Sequence, residues 1–131
     1  MPDDHDVQEI LDIGGDAVLE RLAAMADHGM VLDITLFAGG QVVSGTLIGR
    51  DRWLQQFSER AARGGAGGRQ VAEDVQRLLQ ALESRRPAGE PPHRDFLHLA
   101  SAQIDGTQRI AEGLLWRGRI SEVAGWSLGS L

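Results

Sequence analysis

The chain has no cysteine, no tyrosine and no lysine among its 131 residues. The absence of cysteine removes disulfides, thiol nucleophiles and thiolate zinc sites, and fits a reducing cytoplasm. No apolar run approaches the roughly 20 residues that a membrane helix needs. The segment Met1-Pro2-Asp3-Asp4 offers neither a basic n-region nor an apolar h-region, so no secretory signal is expected. Arginine supplies all 13 basic side chains, a feature of base composition more than of chemistry.

Charge is unevenly distributed. Residues 1–30 hold eight acids against Arg21 alone, giving −7, whereas the remaining eleven acids and twelve arginines give +1. A polyanion such as nucleic acid would be repelled by the first segment. Hydrophobic residues make up 42% of the chain, enough for one packed domain.

Along the chain, residues 1–15 read as an acidic N-terminal arm with a frayed turn ending at Gly14-Gly15. Residues 16–131 read as a single α+β domain. Asp16 is placed to cap a helix whose apolar stripe is Val18, Leu22 and Met25, widened by Leu19 and Ala23. His28-Gly29 closes it. Val31–Phe37 alternates as a strand, Gly39-Gly40 suits a tight turn, and Gln41–Ile48 returns. Gly45 inside the return strand predicts bending or a close approach by another backbone.

A helical insert follows at about 51–85. Its first helix is capped by Asp51 and carries Trp53, Leu54, Phe57 and Ala61. Gly64 to Gly68 reads as a flexible breaker, and a second helix at about 70–84 has Val71, Val75, Leu78, Leu79 and Leu82 on one stripe. Residues 86–94 form a Pro/Gly linker. Strands are expected at Phe96–Ala102, extended to Ile104, and at Gly113–Arg117. Arg119–Val123 and a short segment holding Trp126 and Leu128 read as two more.

Several stretches carry a family pattern. They are His28-Gly29, Leu32-Asp33-Ile34-Thr35-Leu36, Ser44-Gly45-Thr46, Phe96-Leu97-His98-Leu99 and Trp116-Arg117-Gly118-Arg119-Ile120. Together they resemble the gas vesicle accessory protein GvpU family over roughly residues 16–129, apart from 60–94. The block from Trp116 to Ile120 is the most specific. The resemblance implies a cytoplasmic, non-enzymatic protein that associates with gas vesicles and affects their assembly or clustering. The Gly-rich and Pro-rich inserts depart from the pattern, as does the lack of a polar Ser/Lys-rich tail. A second resemblance is to Sm-like small barrels. It implies an N-terminal helix ahead of a strongly bent antiparallel β-sheet or closed barrel, a two-helix insertion, and homo-oligomers built through strand edges. It also opens an alternative function as an RNA-binding module.

Catalytic and metal constellations are not expected. His5, His28, His93 and His98 have no second ligand at metal spacing, and no serine lies in a nucleophile-elbow context. Gly64–Gly68 lacks the ending of a phosphate loop. No cofactor is implied. The candidate binding residues are Trp116, Arg117, Arg119 and Trp126, because indole and guanidinium recur at interface hot spots. His98 joins them, either as a surface or edge histidine or as a pH-responsive contact. Arg117 and Arg119 share a face only if the strand stays regular through Gly118. The partners expected are vesicle shell or assembly proteins and further copies of the chain, with nucleic acid disfavoured and no membrane.

Overall fold

The computed structural model describes residues 16–85 and 95–130. The acidic arm and the Pro/Gly linker lie outside these residues. The chain forms two compact units, one from residues 1–49 with 94–131 and one from residues 50–93.

The first unit is α+β, as expected. It comprises helix α1 (Ala17–Asp27), strands β1 (Leu32–Ala38) and β2 (Gln41–Ile48), and later β3 (Phe96–Ile104), β4 (Leu114–Arg119) and β5 (Val123–Leu128). The five strands form one antiparallel sheet in the order β4-β3-β2-β1-β5. The sheet is open and does not close into a barrel. Its last two strands are consecutive in sequence yet occupy opposite edges. A three-residue 3-10 turn, Ile120–Glu122, joins them.

That turn corrects the expected strand over Arg119–Val123. Ile120 is apolar because it is a buried plug, and its N–H donates to the Asp95 carbonyl. Ile120 is therefore a tether, whereas Val123 already belongs to β5, opposite Ala38.

The core lies between α1 and one face of the sheet. Ile34 and Leu36 of β1, Val43 and Leu47 of β2, and Leu97, Leu99 and Ala102 of β3 are buried together with Leu19, Ala23 and Ala26 of α1. The helix thus presents a different stripe from the one its longest side chains predict, since Val18 and Met25 are exposed. Small alanines at the contact let α1 sit close to the sheet: a Cβ on Gly49 would fall 2.8 Å from the Ala26 carbonyl oxygen.

Gly45 answers its expectation directly. It faces Ile34 across β1, and on its other side the β2–β3 register shifts between Ser44 and Thr46. A side chain there would stand 3.0 Å from both the Ala100 carbonyl oxygen and the Ala102 Cα. Between them Ser101 takes φ +53°, so the bulge in β3 is the backbone that Gly45 accommodates.

The second unit is a helical hairpin of α2 (Arg50–Ala62) and α3 (Gly65–Arg85). Asp51 lies within the first turn and pairs with Arg50 at 3.0 Å, so it does not act as the cap. The break expected at the glycine run falls at its front, where Arg63-Gly64 separates the two helices and Gly65 has φ +82°, and the remaining glycines form the first turn of α3. The reason is packing: a Cβ on Gly68 would overlap the Ala61 carbonyl oxygen of α2. Within the hairpin Trp53 stacks on Phe57 at 5.4 Å between centroids, and Gln76 donates to the buried Ser58 hydroxyl. On the expected apolar stripe of α3, Val71 and Leu78 are exposed, whereas the side chain of Leu82 lies outside the described set.

Candidate functional site

The candidate residues divide between the two faces of the sheet. Trp116 on β4 and Trp126 on β5 point to the core side and pack, half-buried, against the cluster under α1. Trp116 lies opposite Leu99, and Trp126 opposite Leu36. Gly118 explains the spacing of the Trp-Arg-Gly block. Positions 116 and 118 share a face, and a Cβ at 118 would overlap the indole of Trp116. The glycine leaves the ring room to lie along its own strand.

Trp126 has a further tie. Its indole Nε1 donates to Asp16 Oδ2 at 2.6 Å, while Asp16 Oδ1 accepts the Leu19 N–H at 3.0 Å. One carboxylate therefore caps α1, as expected, and also holds β5.

Arg117, Arg119 and His98 belong to the other face. Arg117 lies opposite His98 and Arg119 opposite Phe96. The strand does stay regular through Gly118, so both guanidinium groups share a face. Arg117 Cζ stands 3.7 Å above the Phe96 ring centroid, and Arg119 Cζ stands 5.8 Å away. Arg117 Nε also donates to His98 Nε2 at 3.1 Å. In that bond Nε2 acts as the acceptor, the arrangement of an imidazole whose ring proton sits on Nδ1.

His98 is neither a surface nor an edge residue. It is buried on β3, an interior strand between β2 and β4. It orients Arg117 from beneath. Phe96 is the member that sequence reading missed. The sequence marks it only within the family pattern Phe96-Leu97-His98-Leu99, because the β3–β4 register alone brings it under residues about twenty positions later.

These features give β4 a definite surface character. Both arginines are exposed on an edge strand, held over an aromatic ring and a buried imidazole. Cation–π contact and the His98 bond reduce the freedom of Arg117 before any partner arrives.

A second depression lies elsewhere on the same unit. It is an open cleft of about 390 Å³ lined by Asp33, Ser44, Thr46, Gln103, Asp105 and Arg109, among others. Thr46 donates to Asp33 Oδ1 at 2.9 Å, and Gln103 is engaged in both directions with the backbone of Ile110. Among the described residues no cluster of three or more His, Cys, Asp or Glu is placed to hold a metal. Among them, too, no helix is long and apolar enough to cross a membrane.

Fold and surface together define an α+β protein with an open five-stranded sheet, one edge strand of which carries two exposed arginines on a shared face. The family model described as gas vesicle protein GvpU-like matches residues 16–131, and the chain belongs to that family. It is accordingly a gas-vesicle-associated protein. No curated protein and no solved structure matches the chain.

Proposed function

We propose that the protein is a non-enzymatic accessory factor that acts by protein–protein contact in gas vesicle assembly or clustering. The observation that carries this reading is the β4 edge, where Arg117 and Arg119 share one exposed face over Phe96 on a strand that stands last in the sheet order among the described residues. Such an edge can accept an extended polypeptide by main-chain pairing, while the two cations select acidic or aromatic side chains next to it. Trp116 lies on the core-side face of the same strand, and His98 positions Arg117. The partner is a shell or assembly protein of the vesicle, met in the cytoplasm.

Co-sedimentation with purified gas vesicles tests the reading. The wild-type chain should float with the vesicles, and Arg117→Ala/Arg119→Ala should bind at least tenfold more weakly with an unchanged circular dichroism spectrum. Wild-type protein that fails to bind vesicles or any vesicle assembly factor would defeat it. Nucleic acid is the weaker partner, because a net charge of −6 opposes a polyanion.

A further inference from the structure

The two free margins of the sheet are chemically unlike. Among the described residues neither β4 nor β5 has a second hydrogen-bonded neighbour. Edge strands invite pairing with other chains, and proteins guard them with charge, proline or bulges. β4 carries Arg117 and Arg119. β5 reads Val123-Ala124-Gly125-Trp126-Ser127-Leu128, with no charge and no proline. Leu128 belongs to the core-side face, opposite Ile34, yet it remains 63% exposed.

We propose that β5 is a self-pairing edge, and that two copies of the chain join through it, antiparallel, about a two-fold axis at Ser127. The register follows from the backbone. Gly129 N–H donates to the Asp33 carbonyl. By alternation Ser127 and Gly125 also turn toward β1, which leaves the N–H and C=O groups of Trp126 and Leu128 pointing outward. Those are the groups a second strand would meet.

Of the antiparallel registers that keep the outward groups in phase, two centre on the middle of the exposed segment. One places Trp126 opposite its own copy and needs Ala124 to pair with the partner's Leu128. Ala124 sits where the β1–β5 register shifts between Phe37 and Ala38, so the ladder is interrupted there. The other avoids that bulge. It pairs Trp126 with the partner's Leu128 on each side of the axis, and brings the two Ser127 residues together at the axis itself. In this register each exposed leucine is covered by an indole already fixed through Asp16. A two-fold of this kind leaves the core faces of both sheets on one side.

β4 is a poorer self-pairing edge, since the same operation would crowd four guanidinium groups. The proposal stands apart from vesicle binding, which was assigned to the opposite margin. The ladder is short, so the dimer should be weak and should dissociate on dilution.

The chain's lack of cysteine makes the register testable. A non-hydrogen-bonded antiparallel pair has its Cα atoms about 4.5 Å apart, within the span of about 4.4–6.8 Å that a disulfide bridges. Ser127→Cys, exposed and conservative, should therefore form a covalent dimer under mild oxidation, while Arg119→Cys on the other edge should remain mostly uncrosslinked. Sedimentation velocity of the uncrosslinked full chain should show a monomer–dimer equilibrium across a concentration series. Leu128→Pro removes an outward N–H without touching the β1 ladder, and should be monomeric at every concentration while keeping its circular dichroism. A wild-type chain that stays monomeric throughout overturns the proposal. So does a dimer that survives Leu128→Pro, or crosslinking that favours Arg119→Cys.

Discussion

Asp16 and Trp126 lie 110 positions apart, yet they share a hydrogen bond of 2.6 Å. The same carboxylate caps α1, so removing it costs two things at once. A lost N-cap destabilises by about 0.5–2 kcal/mol, and a hydrogen bond to a charged group contributes about 1.5–3 kcal/mol. Asp16→Ala should therefore lose roughly 2–5 kcal/mol in urea denaturation. The effect should shrink in a Trp126→Phe background, because the second bond is already absent there. A double-mutant cycle showing strict additivity would mean the indole bond contributes nothing. Of this arrangement, the cap was legible in the sequence, since aspartate ahead of an apolar helical stripe is a local signal. The indole partner was not, because nothing short-range links the two positions. Phe96 beneath Arg117 is hidden for the same reason, and His98 was misplaced because one sequence does not distinguish an interior strand from an edge.

Strands β1 and β2 emerged nearly intact from alternation and the Gly39-Gly40 turn, since their pattern is local. The helical hairpin shows where such reasoning ends. A run of glycines scores as a breaker on intrinsic propensity, but propensity is overridden when a second helix needs the space. Gly68 is such a position, with the Ala61 carbonyl where its Cβ would be. Gly68→Val should force α2 and α3 apart, costing about 2 kcal/mol or more through overpacking. Hydrogen exchange should show it as faster exchange across 50–85 with little change in the sheet. Equal acceleration in both units would contradict the assignment of Gly68 to the hairpin. The helix-face error in α1 is a rotation of the stripe: Leu19, Ala23 and Ala26 are buried with Leu22 packed beside them, while Val18 and Met25, on its flanks, are exposed.

At the scale of the molecule, charge separates the two proposed contacts. The chain carries −6, with −7 concentrated in residues 1–30. Two copies repel one another, so association through the uncharged β5 should tighten as salt screens that repulsion. Vesicle binding through Arg117 and Arg119 relies on attraction to the partner and should weaken over the same range. Sedimentation and flotation measured between low and moderate ionic strength should show these opposite trends. Parallel trends would mean that one surface serves both contacts.

The short connector between β4 and β5 has a consequence for synthesis on the ribosome. β1 is made early and finds β2 at once, but its other neighbour is the last strand of the sheet. Until residues beyond 122 have emerged, the nascent chain holds β1 with one margin bare, a state open to mispairing with other nascent chains. Completion of the sheet thus waits until β5 has been made and is free to reach β1, so the strand made last closes the margin of the strand made first.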